Sequence, residues 1–213
     1  MSETDVVDIT AEAETFTCNA YLVPGEVTTL VDAGAWDGVV DAVRSHVDGV
    51  DRVVMTHQHG DHVAQLDAVC DAFDPDVYAY ADHARRTHAI ADGDTVRVGD
   101  ENCEVVYTPG HADDHVSLVG DERCYSGDVV VYNDGAFDDG SFGRTDYPGQ
   151  SRERLIESLE TILGRLPGTV SGLYAGHGDV YRAAPDGSAE SVRTVIERAL
   201  ERAERRKPKY PDE

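Results

Sequence analysis

A short segment of the chain is crowded with side chains that bind metal ions: residues 56 to 62 read THQHGDH, directly after the apolar run at 53 to 55. Imidazole and carboxylate groups are ligands that hold Zn²⁺, Mn²⁺ or Fe²⁺. His57, His59 and Asp61 alternate along the segment and His62 is adjacent, so the side chains point in two directions and one segment can serve two ions. The alternative is a solvated helix start in which Asp61 caps the following helix.

Further candidate ligands stand where three apolar, strand-like runs end. The runs at 105 to 108, 123 to 126 and 170 to 174 lead into His111, Asp128 and His177, and each candidate has a glycine neighbour. Strand ends are where α/β folds usually present functional groups, and glycine lets the backbone turn sharply there. The first segment alone supplies too few ligands for two ions. These three further residues therefore favour a metal site over a solvated helix start.

The ordered series H-x-H-x-D-H, G-H, G-D and G-H resembles that of the metallo-β-lactamase-fold hydrolases, over nearly the whole chain. The resemblance implies two divalent ions, zinc first, with iron or manganese as alternatives. It implies this set of ligands: His57, His59 and His111 for the first ion, Asp61, His62 and His177 for the second, and Asp128 bridging both. It further implies that Asp61 and Asp128 take part in catalysis, and that Asp32 supports the ligands from behind.

The chemistry of such a pair of ions explains this division of ligands. A carboxylate between two dications reduces their mutual repulsion, and three further ligands on each ion leave a position for water. With metals about 3.5–4 Å apart, the pKa of a shared water falls to about 7. The resemblance therefore implies hydrolysis by a hydroxide held between the ions.

The bridging position and one later segment narrow the choice within the family. Members with aspartate at the position of Asp128 are mostly glyoxalase II-like hydrolases, phosphodiesterases, lactonases and oxygen-using iron enzymes, whereas many β-lactamases have cysteine there. The segment SFGRTDYPG at 141 to 149 resembles the G-R-T-D-x-P-G stretch of small glyoxalase II-like proteins and persulfide dioxygenases. Arg144 and Asp146 are thus candidate substrate-binding residues, Arg144 through paired hydrogen bonds to an acidic group. The alternative is a plain surface loop.

Two features depart from glyoxalase II. Its G-H-T-x-G-H motif reads GHADDH here at 110 to 115, and the carboxylates of Asp113 and Asp114 would repel an anionic thiol such as a glutathione conjugate. His115 keeps the second histidine of the motif, either supporting the ligands from behind or serving the fold alone. The stretch after His177 also leaves little room for the helical domain that carries the glutathione-binding residues of glyoxalase II.

Three functions follow from these patterns. The first is a metal-dependent hydrolase of a small thioester, lactone or related ester. The second is a mononuclear iron enzyme of the persulfide dioxygenase type, in which His57, His111 and Asp128 form a two-histidine, one-carboxylate set. The third is a non-catalytic metal-binding module. We expect the first, with the identity of the substrate open.

Strand and helix patterns place these residues in a mixed fold. Periodicity predicts strands at 6 to 10, 17 to 23, 28 to 32, 52 to 56, 76 to 80 and 129 to 132, and hairpins at 95 to 98 with 104 to 108 and at 116 to 119 with 124 to 126. Helices are predicted at 38 to 47, 61 to 73, 82 to 91, 151 to 166 with Ser151 as cap, and 188 to 206. This order suits a four-layer αββα sandwich, the metallo-β-lactamase fold that the resemblance implies. We expect a single domain over 1 to 213 with a flexible tail at 207 to 213.

Composition limits the partners. The chain carries 18 basic and 42 acidic residues, a formal net charge of −24, and its only lysines lie at 207 and 209. Because about 1 M salt shortens the Debye length to about 3 Å, we interpret this surface as halophilic adaptation. No basic track for nucleic acid is present, and no signal-like start or apolar run of about 20 residues points to a membrane. We expect a cytoplasmic monomer or homodimer that acts on a small molecule and has buried, unpaired cysteines.

Overall fold

Two mixed six-stranded sheets form the centre of the fold in the computed structural model, which describes residues 6–206. The first sheet contains, in spatial order, β1 (Val7–Asp8), β2 (Tyr21–Val23), β3 (Thr29–Val31), β4 (Arg52–Val54), β5 (Asp76–Ala79) and β6 (His88–Ala89). β1 to β3 pair antiparallel, and β3 to β6 pair parallel. The second sheet contains β7 (Thr95–Val98), β8 (Glu101–Tyr107), β9 (Val116–Val119), β10 (Arg123–Gly127), β11 (Gly172–Ala175) and β12 (Tyr181–Arg182). Only β10 and β11 pair parallel there.

Helices cover the outer face of each sheet. They are α1 (Val39–Arg44), α2 (Gly60–Val63), α3 (Leu66–Phe73), α4 (Arg152–Arg165) and α5 (Val192–Glu204). Apolar side chains of α1 and α3 pack with those of the first sheet in one buried cluster, and α4 and α5 pack with the second sheet in another. A third cluster, which includes Tyr21, Val54, Val105 and Tyr125, fills the space between the sheets. These clusters confirm the predicted four-layer αββα sandwich.

The long helix α4 shows how the sequence dictates one outer layer. Leu155, Leu159 and Ile162 recur at helical spacing, and all three are fully buried against the second sheet. The hydroxyl oxygen of Ser151 accepts a hydrogen bond from the amide of Arg154 at 3.3 Å, which confirms the predicted cap and satisfies one free amide of the first turn.

The predicted helix at 61 to 73 is two helices, α2 and α3, because tertiary hydrogen bonds interrupt it. The carbonyl of Asp61 accepts from the amide of Cys18, and the amide of Gln65 donates to the carbonyl of Gly34. Both groups are thereby withdrawn from the hydrogen bond that a continuous helix would make between them. The break leaves Asp61 and His62 on a single short turn of their own.

Two other predicted elements are wrong. Residues 82 to 91 form turns and the edge strand β6, because the amides of Thr87 and Ile90 donate to carbonyls of β5. Val129, Val130 and Val131 are buried, but residues 129 to 132 form only isolated bridges, of Val131 with Ser141 and of Tyr132 with Gly178. The last helix begins at Val192, later than predicted, since Ser191 caps it. Strand β12 was not predicted.

Strand direction gathers the functional loops at one edge of the sandwich. β8 and β10 both pair antiparallel with β9, and β11 pairs parallel with β10, so all three end at the same edge of the second sheet. A hydrogen bond between the sheets, from the amide of Val116 to the carbonyl of Thr56 at 2.8 Å, holds the loop after β4 at this edge. A second, from the amide of Asn19 to the carbonyl of Gly176 at 2.7 Å, joins the segment before β2 to the loop after β11.

The described residues also bear on two other predictions. The four cysteines are unpaired as predicted; Cys18, Cys103 and Cys124 are buried and Cys70 is partly buried. Within residues 6–206, none of the helices has the length and apolar character needed to cross a bilayer. The tail at 207 to 213, predicted to be flexible, lies outside the described residues.

Candidate metal centre

All seven predicted ligands lie together at this edge. His57 and His59 follow β4, Asp61 and His62 lie on α2, His111 follows β8, Asp128 follows β10, and His177 follows β11. Three overlapping groups of these residues place one ligand atom each within 4.8 Å of the others: His57, His59 and His111; His57, His62 and Asp128; Asp61, His62 and His177. The structure thus forms a histidine-rich site that can hold divalent metal ions.

The first group is centred on two ring nitrogens that face each other. His111 Nε2 lies 2.9 Å from His59 Nδ1, and the ring of His57 stands edge-on to both rings. His111 Nδ1 lies 2.8 Å from the carbonyl oxygen of Arg144, which can only accept, so this nitrogen carries the proton and Nε2 presents a lone pair. A proton or a cation is needed between His59 and His111.

The second group, Asp61, His62 and His177, lies beside the first, and the carboxylate of Asp128 is close to both. His177 Nε2 is 3.0 Å from Asp61 Oδ2 and 3.5 Å from Asp128 Oδ2. Asp128 Oδ1 is also 3.5 Å from His62 Nε2, and Asp128 Oδ2 is 3.2 Å from His111 Nε2. Asp128 therefore stands between the two groups, where a bridging ligand is expected.

Asp32 orders two of these histidines from behind, together with Thr56. Asp32 Oδ1 accepts from the amide of Thr56 at 2.8 Å, and Oδ2 accepts from its hydroxyl at 2.7 Å and from His62 Nδ1 at 2.9 Å. Because the hydroxyl proton of Thr56 is committed to Asp32, its oxygen accepts from His57 Nδ1 at 3.1 Å. Both histidines therefore carry the proton on Nδ1 and turn Nε2 into the site.

Buried atoms without a protein partner test whether the site fits a metal. His57 Nε2, His62 Nε2 and Asp128 Oδ1 are all buried and lack a hydrogen-bond partner among the described residues. Buried polar atoms are normally satisfied, and leaving one unsatisfied costs about 1–3 kcal/mol. Two imidazole nitrogens and a carboxylate oxygen left open in this way are the donor types that divalent cations require, so the residues present fit the metal ions.

The electrostatics of the site favour an ionised carboxylate at Asp128 and divide the imidazoles around it into two kinds. Burial opposes ionisation of Asp128, but the nearby His62 and His177 hold its pKa well below its usual range. Burial lowers the pKa of His57, of His111 and of His59. Burial also acts to lower the pKa of His62 and of His177, but the acidic groups beside them raise both above the ordinary range. Because imidazole binds a metal in its neutral form and carboxylate in its charged form, a metal ion at His62 and His177 would displace their protons.

His115 is a fully buried residue that positions Asp128. Its Nε2 accepts from the amide of Asp128 at 2.9 Å, which leaves the proton on Nδ1, 2.8 Å from the hydroxyl oxygen of Thr108. The chain of hydrogen bonds continues from Thr108 to Ser117 at 3.1 Å and on to the carbonyl of Ser126. Both ring nitrogens are committed, so the geometry supports the predicted role behind the ligands.

The segment at 141 to 149 reaches the site through its backbone. Gly143 packs so closely that an added Cβ would lie 2.4 Å from the carbonyl oxygen of Asp128 and 2.8 Å from His111 Nδ1. This approach places the carbonyl of Arg144 on His111. The guanidinium of Arg144 forms two hydrogen bonds to Asp146, at 2.8 and 2.5 Å, so its paired N–H groups already hold a carboxylate. Substrate binding by Arg144 and Asp146 stays a prediction.

A cleft of about 400 Å³ opens over the ligands. Its lining comprises Phe16, Asp61, His111, Asp128, Val131, Asp134, Gly143, Arg144, Tyr147 and His177. A smaller pocket of about 250 Å³ adjoins it at His59 and His111 and includes Asp113 and Asp114. The site therefore offers room for a small molecule directly above the candidate ligands.

Sequence reasoning missed several contributors to the site. The sequence patterns assign no role in the site to Thr56, Phe16 or Tyr147, and they place Asn19 within the predicted strand at 17 to 23. The side-chain amide of Asn19 donates to the carbonyls of Ala175 and Gly178 at 3.0 and 2.8 Å and so fixes the loop that carries His177. A polar residue directly before an apolar strand was the available signal.

Comparisons with known proteins agree with this geometry. The "Probable metallo-hydrolase M6_Spy0554" of Streptococcus pyogenes is 30% identical over 74% of this chain and 77% of its own. A hydroxyacylglutathione hydrolase of Francisella philomiragia is 39% identical over 38% of this chain, but the match spans only 34% of that protein. The crystal structure of ETHE1 from Myxococcus xanthus superposes with a TM-score of 0.66, at 22% identity, over 87% of this chain and 92% of its own.

The match to a whole family is broader. The sequence profile of the metallo-beta-lactamase superfamily covers residues 13–177, a range that includes all seven candidate ligands from His57 to His177. With the αββα layers and the histidine-rich centre, this match shows that the chain belongs to the metallo-beta-lactamase superfamily.

Proposed function

We propose that the chain is a metal-dependent hydrolase of a small thioester, lactone or related ester, similar to glyoxalase II. The observation that carries the proposal is the pair of adjacent ligand groups, with Asp128 between them. A mononuclear iron enzyme needs only His57, His111 and Asp128. The structure has a further set of candidate ligands, Asp61, His62 and His177, within 4.8 Å of one another, which supports two ions.

Each group has a definite assignment in this proposal. One ion would be held by His57, His59 and His111 and the other by Asp61, His62 and His177, with Asp128 available to both. The unpartnered atoms His57 Nε2, His62 Nε2 and Asp128 Oδ1 gain their missing partner in this way. We propose zinc for both ions, with iron and manganese as the alternatives to be tested by metal analysis.

When bound, two divalent ions polarise a carbonyl and lower the pKa of a water molecule to about 7. The chain supplies the order around them. Asp128, ionised because of the histidines around it, reduces the repulsion between the cations. Asp61 lines the cleft and presents a carboxylate oxygen that can accept a hydrogen bond from water. Asp32, Thr56 and His115 hold the ligands in one orientation.

Relatives support this reaction class without fixing the substrate. The hydroxyacylglutathione hydrolase similarity spans about a third of that protein's length, and Asp113 and Asp114 border the pocket next to the site. We therefore propose hydrolysis of a small ester or thioester and leave the glutathione thioester as one member of the panel to be assayed.

The test combines metal counting with turnover. Purified protein would be loaded with Zn²⁺, Mn²⁺ or, without oxygen, Fe²⁺, counted by elemental analysis, and assayed against thioesters, lactones, esters and phosphodiesters in high salt. We expect two ions per chain and oxygen-independent hydrolysis. One iron per chain with oxygen consumption would instead support the dioxygenase, and metal binding with no turnover across the panel would support the non-catalytic module.

A matched pair of substitutions isolates the bridging carboxylate. Asp128→Asn removes the charge but keeps the shape, and we expect a loss of turnover and of metal affinity beyond about 100-fold, because even residues behind ligands are worth about 10–100-fold. The control is Asp74→Asn, an exposed residue with φ 50° at the end of α3, where asparagine is equally tolerated. Retention of both metals and activity by Asp128→Asn contradicts the proposal.

A further inference from the structure

Two large hydrophobic side chains in the described part of the chain are exposed, and both line the same cleft. Phe16 is 80% exposed and Tyr147 is 54% exposed, and both border the space above the candidate ligands. Isolated exposed apolar residues need no explanation, but apolar surface gathered at a pocket marks a place where a ligand binds. The two rings therefore bear on what the cleft accepts.

Phe16 is held in place although its ring is exposed. The ring stacks on His177 with centroids 5.4 Å apart and an angle of 16° between the planes. The residues that follow it are anchored: the hydroxyl of Thr17 accepts from the amide of Ala35 at 2.8 Å, and Cys18 is fully buried. The free face of the Phe16 ring is thus a fixed apolar surface beside the second ligand group.

Tyr147 forms the corresponding surface beside the first ligand group. The guanidinium of Arg144 lies 4.2 Å from the centre of the Tyr147 ring, and the carbonyl of Arg144 holds His111. Tyr147 also borders the smaller pocket next to His59. One aromatic ring therefore stands by a ligand of each group, and a molecule reacting between the groups has an aromatic surface available toward either side.

Charge around the cleft disfavours an anionic substrate. Arg144 is the only basic residue other than histidine among the residues that line it, and its guanidinium makes two hydrogen bonds to Asp146. Asp134 lies in the same lining. No lysine occurs between residues 6 and 206. A substrate carboxylate held at the mouth of the cleft, away from the metal ions, would therefore lose water without gaining a new cationic side chain as partner.

From these observations, and resting on the proposed hydrolase function, we infer that the substrate is an uncharged thioester or ester that carries a flat apolar group, which packs on Phe16 or Tyr147. In the reaction the acyl carbon–sulfur bond breaks and a bond from the acyl carbon to the oxygen of water forms. The products are an aryl-substituted or similarly apolar carboxylic acid and a neutral thiol, which takes up one of the protons of the water. Glutathione thioesters, with their charged leaving group, are poor substrates.

The inference is tested with four synthetic thioesters and the metal-loaded enzyme at one salt concentration that keeps it folded. Phenylacetyl and acetyl groups are each joined to neutral N-acetylcysteamine and to glutathione. We expect kcat/KM for phenylacetyl-N-acetylcysteamine to exceed that of phenylacetyl-glutathione about tenfold, which corresponds to about 1.4 kcal/mol, because the charged groups of glutathione lose water without a cationic side chain to replace it. Equal or better hydrolysis of the glutathione thioesters overturns the inference but leaves the hydrolase proposal intact.

Single substitutions separate the contribution of the ring from that of the fold. Phe16→Ala should lower kcat/KM for the phenylacetyl substrate about 3- to 10-fold, in the range of one aromatic contact, and lower it less for the acetyl substrate. Tyr147→Ala gives the same comparison on the other side. Phe137→Ala is the matched control, because Phe137 also packs under a guanidinium, that of Arg202 at 4.1 Å, but does not line the cleft. Equal losses on both acyl groups overturn the inference.

A binding measurement decides the case in which no thioester turns over. The phenylacetyl compound with a methylene in place of sulfur cannot be hydrolysed, and its affinity can be measured by calorimetry. Binding that is weakened about 3- to 10-fold by Phe16→Ala supports the apolar subsite even if the hydrolase proposal fails. Absence of binding to the wild-type, metal-loaded protein overturns it.

Discussion

The hydroxyl group of Thr56 is the part of the site whose removal gives the sharpest test of how the ligands are ordered. It donates to Asp32 at 2.7 Å and accepts from His57 Nδ1 at 3.1 Å, and Thr56 is 1% exposed. Thr56→Val keeps the shape of the side chain and removes only the hydroxyl. The amide of Thr56 still donates to Asp32 at 2.8 Å, so Asp32 and His62 keep their positions. The side chain that loses its hydrogen-bond partner is His57.

The magnitude follows from the two hydrogen bonds that disappear. A hydrogen bond to a charged group contributes about 1.5–3 kcal/mol, and a buried donor left unsatisfied costs about 1–3 kcal/mol. Because the two effects overlap at one site, we expect the free energy of unfolding to fall by about 2–4 kcal/mol. With its Nδ1 proton no longer fixed, His57 should also bind the first metal ion about 10- to 100-fold more weakly.

The control for this experiment is Thr29→Val, which removes a hydroxyl in a remote part of the same sheet. Thr29 is fully buried; its hydroxyl donates to the carbonyl of Val27 at 2.9 Å and accepts from the amide of Gly99 at 3.4 Å. Because both partners are neutral, we expect a loss of about 0.5–1.5 kcal/mol and unchanged metal affinity. Unfolding would be measured by urea titration with chelator present, and metal binding by competition with a chromophoric chelator. Thr56→Ser should restore metal affinity. Metal affinity that is equal in Thr56→Val and wild type would refute the reasoning.

Three further predictions address other features of the structure. Burial lowers the pKa of His115 to about 3, whereas an unfolded histidine has a pKa of about 6.5. Between these values only the unfolded state binds the proton, so the free energy of unfolding decreases as pH falls through this window, by up to about 1.4 kcal/mol per pH unit. In urea unfolding, His115→Gln should lack this part of the pH dependence. The net charge of −24 predicts that the urea midpoint rises with potassium chloride, as the Debye length shrinks from about 10 Å at 0.1 M to about 3 Å at 1 M; a flat response would contradict the interpretation of the surface. Gly176→Ala would place its Cβ 2.2 Å from Asp128 Oδ1 and should weaken metal binding in calorimetry, whereas Gly168→Ala, with open space around it, should not.

The candidate ligands could be located from the sequence because each depends on local pattern. A glycine beside a histidine or aspartate at the end of an apolar run identifies a strand end, and strands that run the same way bring their ends to one edge. The loops that carry His111, Asp128 and His177 meet there for this reason. The prediction needed no knowledge of which strands are neighbours.

The errors share a different physical origin, because they depend on hydrogen bonds between distant parts of the chain. The single helix expected over 61 to 73 has the right periodicity, but the amide of Cys18 takes the carbonyl that would have continued it. The helix expected at 82 to 91 gives way to pairing with β5. Likewise, Arg144 contacts His111 through its backbone carbonyl, and the type of a residue does not show which contacts its backbone makes.

The orientation of the histidines argues that the site is ordered by the protein before any metal binds. His57, His62 and His111 come from different loops and helices, and each donates its Nδ1 proton to an oxygen outside the site: the hydroxyl of Thr56, the carboxylate of Asp32 and the carbonyl of Arg144. Three independent hydrogen bonds therefore fix the ring orientations and turn three Nε2 atoms toward the same carboxylate, that of Asp128. A fold that needed buried histidines only for packing would have no reason to leave Nε2 of His57 and Nε2 of His62 without a partner. The cost of those unsatisfied atoms is offset only when cations occupy the space between them.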